Sequence, residues 1–567
     1  MKQQLEAAIA AIVERLFDAT VPVELTRTDE KFGDYATNVA MQLVKELAKP
    51  PREIATEIVA AIATELTDTV TEAQIAGPGF INLTLTEEAL LGGATTATPQ
   101  LNANKRVLLE YSCPNAFKEL HTGHLYQTVV GDAIGRLLTA SGATIYRANF
   151  GGDVGLHVAK CLYAIKQQLG EDVSQLAAVP PAERPSWIST AYVAGASAYE
   201  TDEAAKQAIT EINTQIYSFH DSSDHDSQLA KIYWECRGWS YEYFKAFYES
   251  IVVSPFNSYY PESGTAERGL SVVRVNTPPV FEASNGAVVF KGEDAGLHTR
   301  VFITSKGLPT YETKDLGVIY NELDDFKYDH RYILTGNDQL QYMQVVFAAL
   351  AAIDPELAAK QTHLTNGTIR FGSGQKMSSR LGNVTRAADV LAAVGQAVTA
   401  IDAATKQQVT LGAIKYTFLK HRLGGDIAFD VNESVSLEGN SGPYLQYALA
   451  RACSILDKAG YEASRLTAVL ANDVVLRPGL ELETAERLLV RKLTEYQEVL
   501  AKAITELLPH QICNYLYELA QDFNRFYENN RVIGNERQEL RLLLIENYAR
   551  TLHHGLSLLG LPTPQKM

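Results

Sequence analysis

Several devices that would stabilise or place a protein are missing from this sequence. Only five of its 567 residues are cysteines, namely Cys113, Cys161, Cys236, Cys453 and Cys513. They form no Cys-x-x-Cys pair, which excludes a disulfide framework and a cysteine-held zinc and predicts a reducing, cytoplasmic setting. No apolar run approaches a membrane span; stretches such as Val345 to Ile353 are too short, so no membrane insertion is expected. The opening MKQQLEAAIAAIVERL carries acidic residues in an amphipathic helical pattern, not a basic start and an apolar centre, so no secretion signal is expected. Basic charge is in deficit: 50 Lys and Arg face 67 Asp and Glu, a net −17. That balance excludes indiscriminate binding to DNA or other phosphate backbones, while leaving room for a selective RNA partner. Solenoid repeats and a P-loop are absent too.

What is present is an ordinary globular composition, 46% apolar and 21% charged, in a chain long enough for several domains with sizeable cores. Positive charge gathers locally at Arg370, Lys376, Arg380, Arg386, Lys406, Lys415, Lys420 and Arg422, a stretch in which Asp389 and Asp402 are the only acids. Such a concentration suits either an RNA-facing surface or a plain solvated one.

The chain is organised around Arg106 to Gly142. A short apolar run after Arg106 predicts a buried strand, Pro114 and Asn115 break it, and apolar residues from Leu125 to Leu138 recur at helical spacing until Ser141-Gly142. His121 and His124 therefore stand one turn apart at a helix start. A helix N-terminus attracts phosphate through its unpaired N–H groups and partial positive charge. Two imidazoles three residues apart project to one side and can donate to phosphate oxygens. Gly123 lets a nucleotide lie against the backbone, and Lys118 brings a mobile ammonium.

The run Pro114-Asn115-x-x-Lys118-x-x-His121-x-Gly123-His124 resembles the ATP-binding signature of class I aminoacyl-tRNA synthetases, in the form found in arginyl-tRNA synthetases. Further segments are similar to the same family. In YETKD, Tyr311 and Asp315 stand four apart, on one helical face if a helix starts there, and match its amino-acid-binding signature. Gln339 falls where the family places another arginine contact, and Glu110 and Asn115 complete the matching set. The chemistry is sensible: a guanidinium is planar, always charged and five-donor, so Asp315 and Glu110 can accept from it while Tyr311 fixes its plane. Lysine would leave such a pocket partly unpaired, which rejects it without editing.

FGSGQKMSSRLGNV resembles the second class I signature. Lys376, Met377 and Ser378 match; Ser379 stands where a second lysine is expected, with Arg380 after it, and the resemblance implies that Lys118 takes over that phosphate contact. The resemblance thus implies catalytic roles for Lys118, His121, His124 and Lys376, and ATP binding by these four with Gly123, Met377 and Ser378. It implies arginine binding by Glu110, Asn115, Tyr311, Asp315 and Gln339. No protein-held metal is expected; magnesium would accompany ATP.

The expected fold class is α/β. A Rossmann-like parallel-sheet catalytic core spans 105–425, with a helical insertion near 161–290. A small N-terminal α+β domain, 1–95, is similar to the family's tRNA-contacting module. A C-terminal all-α helical bundle, 441–567, is similar to its anticodon-binding domain. Aromatic residues of the insertion, Tyr233, Trp239 and Phe244 among them, read as packing. The implied reaction is ATP-dependent ligation of L-arginine to tRNA(Arg) through an arginyl-adenylate, by a cytoplasmic monomer. Two alternatives are an adenylyl-transferring nucleotidyltransferase, which would be far shorter, and a non-catalytic tRNA-binding synthetase paralogue, which would have lost the core motifs.

Overall fold

The computed structural model describes residues 1–371, 386–460 and 481–567. At the N-terminus, α1 (Lys2–Phe17), β1 (Thr26–Arg27), β2 (Tyr35–Thr37), α2 (Pro51–Glu65), β3 (Val70–Ala76) and β4 (Phe80–Leu85) form a module whose antiparallel sheet has the order β1-β2-β4-β3. Leu5, Ile9, Ile12, Ile54, Ile58 and Ile62 recur every three or four residues and are buried between helices and sheet. Pro51 opens α2 where its missing N–H costs nothing.

The central sheet starts with β5 (Arg106–Glu110), followed by α3 (Thr122–Ala140) and β6 (Thr144–Gly151). Helices α4 (Leu156–Leu169), α5 (Arg184–Thr201), α6 (Glu203–Ser222) and α7 (Gln228–Ser250) then leave the sheet. Strand β7 (Ser258–Pro261) rejoins it, and α8 (Glu262–Val275) follows. A small antiparallel sheet is made of β8 (Glu282–Ser284), β9 (Ala287–Phe290) and β10 (Arg300–Ile303). The core closes with α9 (Tyr311–Asp325), β11 (His330–Gly336), α10 (Leu340–Ile353) and β12 (Gln361–Asn366). The central sheet has the order β12-β11-β5-β6-β7 with every pairing parallel. The direction in which successive strands are added to the sheet reverses between β5 and β11, and such a switch point opens a crevice at the strands' carboxyl ends, where open α/β sheets hold ligands. Within the span 161–290, then, β7 belongs to the central sheet, the helices up to Ser250 stand outside it, and β8 and β9 form part of the separate small sheet.

Strand β13 (Ile369–Phe371), helices α11 (Ala387–Ala397) and α12 (Ala403–Leu419), and β14 (Ile427–Phe429) lead to the C-terminal helices. Among the described residues these are α13 (Gly442–Lys458), α14 (Thr484–Thr494), α15 (Tyr496–Glu506), α16 (Pro509–Asn529) and α17 (Gln538–Leu558). Ile512, Leu516, Leu519, Phe523 and Phe526 make the buried stripe of α16, and Phe523 stacks on Tyr548 of α17 at 3.8 Å.

The N-terminal module is seated on this bundle by charge. Fully buried Asp34 receives Arg487 at 2.7 Å and Arg491 at 3.2 Å, and Glu498 receives Arg27 at 2.7 Å and the Tyr35 hydroxyl at 2.6 Å. Of the basic stretch from residue 370, some members have acidic partners at the surface and one is buried in the fold. Arg370 pairs with Asp426 at 2.8 Å, Arg386 with Asp389 at 2.8 Å and Lys420 with Glu433 at 2.9 Å. Buried Lys415 donates to the carbonyls of Val252 and Gly560 at 3.0 and 2.8 Å. Among the described residues no helix is long and apolar enough to cross a membrane.

Candidate active site

The crevice is furnished first by the loop between β5 and α3. Ser112 (φ +75°) and Cys113 (φ +44°) are consecutive left-handed residues, an uncommon and costly backbone for side chains other than glycine. They turn the chain sharply out of the sheet, and Pro114, Asn115 and Lys118 follow. The Cys113 thiol lies 3.7 Å from Glu110 Oε1. Burial, then the nearby Glu110, push that thiol well above its ordinary range, which favours the neutral thiol.

Helix α3 begins with an unusual cap. His121 is the N-cap, and its Nδ1 accepts from the His124 N–H at 3.4 Å while His124 Nδ1 accepts from the His121 N–H at 3.3 Å. The rings stack at 3.6 Å. Burial lowers the pKa of His121 and drives that of His124 well below the ordinary value. Both imidazoles are therefore neutral near pH 7, and because each Nδ1 is an acceptor each proton must sit on Nε2. The pair presents two fixed N–H donors at a helix N-terminus. A Cβ at Gly123 would lie 2.9 Å from two atoms of the His121 ring, so the stacked pair itself requires glycine there.

Lys118 extends over the Tyr192 ring, its ammonium 4.1 Å from the centroid. Tyr192 belongs to α5, so the helical insertion supplies a wall of the site. Lys118 and Lys314 both lie close enough to His157 to reinforce burial in pushing its imidazole down to about 3. This links the phosphate-seeking groups to those on α9. The Asn115 side chain stands over Gly152, beside Glu262 and His157.

On α9, Tyr311 and Asp315 share a face as the spacing predicts, but in opposite surroundings. Tyr311 is 55% exposed at the mouth, with the Lys314 ammonium 4.7 Å from its ring. Asp315 is buried and accepts from the Tyr342 hydroxyl of α10. Burial, with Glu110 and Glu262 nearby, raises the Asp315 carboxyl to about 8, the Tyr342 hydrogen bond opposing the rise. The surrounding cations are already engaged: Lys314 is ion-paired with Glu262, and Arg331 with Glu110 and Glu322. Among the described residues no cation pairs with Asp315. Helix α9 reaches this position through close backbone contact with α8, since a Cβ on Gly269 would fall 2.0 Å from the Thr313 carbonyl and one on Gly317 2.1 Å from that of Thr265.

Two expected arginine contacts stand differently from the rest. Glu110 is fully buried with its carboxylate on Arg331 at 2.5 Å. Gln339 is exposed in the short turn after β11, its amide directed to Asp338 at 3.3 Å. Lys376, Met377 and Ser378 lie outside the described residues. The first described residue after them, Arg386, forms a backbone bridge with His121, and Ala387 N–H donates to the Leu120 carbonyl at 2.8 Å. Sequence reasoning did not single out Tyr342, Arg331, Glu322, Glu262, Lys314, His157 or Tyr192. For Tyr342 a signal existed, one helical turn beyond Gln339; for Arg331 and Glu322 the pairing depends on tertiary contact.

Comparison with known proteins decides the family. Residues 1–85 match the arginyl tRNA synthetase N-terminal domain, 86–430 the class I (R) tRNA synthetase catalytic domain, and 445–567 the DALR anticodon-binding domain. The chain belongs to the arginyl-tRNA synthetases. It is 30% identical to an arginine–tRNA ligase of Synechococcus elongatus, covering 100% of this chain and 99% of the relative. It is 28% identical to one of Thermobifida fusca, covering 99% of each. The Thermus thermophilus arginyl-tRNA synthetase structure superposes with a TM-score of 0.77 at 26% identity, covering 100% of both chains. The Plasmodium falciparum arginyl-tRNA synthetase shares the fold, with a TM-score of 0.78 at 19% identity, covering 100% of this chain and 99% of the other. Arginyl-tRNA synthetases ligate arginine to tRNA at the expense of ATP, and this chain is such an enzyme; a free nucleotidyltransferase is not favoured.

Proposed function

We propose that the ligation runs in the β5–β11 crevice, with ATP phosphates on the α3 N-terminus and the arginine side chain on Asp315. The observation that carries this reading is a buried carboxyl with which no cation among the described residues pairs, in the same crevice as two neutral imidazoles whose Nε2–H groups can donate. A guanidinium would give Asp315 the counter-charge that its surroundings withhold, and Tyr342 would fix which carboxylate lone pairs remain for it. Tyr311 at the mouth would cover the plane of the guanidinium, and Asn115 would meet the amino acid's backbone end. Gln339 would join from the rim of the crevice.

In the first step the arginine carboxylate attacks the α-phosphorus of ATP and pyrophosphate leaves in line. No side chain need act as a nucleophile; positioning and charge stabilisation carry the rate. His121 and His124 donate neutral N–H groups to phosphate oxygens without a competing charge in the ground state, and Lys118 supplies the mobile positive charge. Lys376, with Met377 and Ser378, is assigned to the same phosphates from the motif. Magnesium is assigned to the nucleotide, as MgATP. In the second step a terminal ribose hydroxyl of tRNA(Arg) attacks the adenylate carbonyl, the bond from that carbonyl to the phosphate oxygen breaks, and AMP leaves. Residues 1–95 and 441–567 are assigned to tRNA contact, and the enzyme is assigned to the cytoplasm as a monomer.

Arginine-dependent exchange of pyrophosphate into ATP, with and without tRNA, tests the assignment. Replacing His124 should lower turnover while the arginine requirement persists. Replacing Asp315 should raise the arginine concentration required while the KM for ATP holds. The reverse pattern would exchange or remove these roles.

A further inference from the structure

Arg331 has one of the largest fully buried side chains among the described residues, and its guanidinium donates to three side chains. Nε donates to Glu322 at 2.6 Å, one terminal nitrogen to Glu110 at 2.5 Å and the other to the Gln361 side-chain carbonyl at 3.3 Å. Gln361 is in turn held by the Leu357 carbonyl at 2.9 Å and the Tyr328 hydroxyl at 3.3 Å. The residues come from β5, α9, β11 and β12, so the cluster ties the two sides of the ligand crevice together. It lies directly below the site: β5 and β11 pair in register with Leu108 opposite Arg331 and Glu110 opposite Ile333. Glu110 Oε2 meets Arg331, and Oε1 meets the thiol of Cys113. Cys113 is the second of the two consecutive left-handed residues that lead into Asn115, and Phe117 (φ +65°), a third, precedes Lys118.

We propose that Arg331 is a positioning residue of the arginine pocket, a built-in guanidinium that saturates Glu110 and, through the Glu110–Cys113 contact, holds the left-handed turn delivering Asn115. It follows that Glu110 is a wall of the pocket whose charge is already answered, and that the incoming guanidinium is read by Asp315. The division suits the chemistry. Two unanswered carboxylates side by side in a dry crevice would repel each other, and one resident guanidinium removes that conflict while leaving a single acid for the substrate. Glu322 completes the arrangement: its carboxyl accepts from the same guanidinium at 2.6 Å, so Arg331 answers it as well as Glu110. The inference rests on the assignment of Asp315 to arginine.

The test compares Arg331→Lys, Arg331→Met and the double variant Arg331→Met/Glu322→Met, measuring melting temperature, KM for arginine and KM for ATP in pyrophosphate exchange. Arg331→Met alone leaves buried acids without a partner and is expected to melt lower; the double variant replaces a buried pair by apolar groups and should recover much of that loss. The inference expects the double variant to keep an arginine KM raised at least tenfold with the ATP KM within about threefold, although its stability is restored. Arg331→Lys keeps the charge but cannot span three partners, and should show a smaller rise in arginine KM. A stable double variant, or Arg331→Lys, with the parental arginine KM would overturn it and leave the cluster a purely structural one. Asp315→Asn separates the two readings. If it raises the arginine KM while the Arg331 variants do not, only this inference fails; if it too has no effect, the pocket assignment fails.

Discussion

The Tyr342 hydroxyl donates to the Asp315 carboxyl inside the core, joining α10 to α9 at the floor of the crevice. Tyr342→Phe should therefore raise the KM for arginine by about three- to tenfold, the loss of one hydrogen bond to a charged group. The KM for ATP should hold, and steady-state exchange kinetics with each substrate varied check both.

The same acid gives the enzyme a pH dependence with a defined sign. Asp315 is raised to about 8 without substrate, and a guanidinium stays charged throughout, so arginine binding must displace a proton. Affinity should rise with pH between 6 and 8, approaching tenfold per unit at the acidic end and flattening above 8. Calorimetric titrations in buffers of different ionisation enthalpy should count close to one proton released per arginine at pH 6.5. For folding the sign is opposite. The folded chain holds a proton that the unfolded one loses near its ordinary value of 3.8, so the contribution of Asp315 to stability declines as pH rises from that value to about 8.

The histidine pair makes a different prediction. Because burial keeps both rings neutral, turnover at saturating arginine should show no titration near pH 6.5 that follows an imidazole. His124→Ala should lower turnover by about 10²-fold or more through loss of a fixed donor. The broken reciprocal cap should cost stability by only about 1 kcal/mol, which thermal unfolding measures.

The seat of the N-terminal module can be loosened by one residue. Asp34→Ala removes the carboxylate on which Arg487 and Arg491 converge and the acceptor for the Leu85 N–H at 2.8 Å. Loss of about 3 kcal/mol is expected for breaking such a pair. Limited proteolysis between residues 85 and 106 should accelerate, while pyrophosphate exchange by surviving enzyme persists.

Much of the site could be read along the chain because its parts are local. The helix start at His121, the stop at Ser141-Gly142 and the shared face of Tyr311 and Asp315 all follow from spacing within one element. The reciprocal cap could not be anticipated, since histidine seldom serves as an N-cap and the stacking needs the glycine between the rings. Nor could the partner of Glu110: 221 residues separate it from Arg331, and only the β5–β11 register brings them together. The concentration of basic residues after Arg370 pointed toward solvent or RNA; Arg370 and Arg386 do stand at the surface, while the acidic partners Asp426 and Asp389 that meet them there were not legible. Gln339 shows the same limit, because its place beyond β11 was legible while the direction of its amide was not.

Asp315→Asn in arginine-dependent pyrophosphate exchange tests the central assignment most directly. It keeps the shape and the Tyr342 contact while removing the carboxylate. The arginine KM should rise by about 10²-fold or more, the loss of a charge-assisted contact to a guanidinium, with the ATP KM within about threefold and the melting temperature not lowered. An arginine KM unchanged in a folded variant would contradict the account.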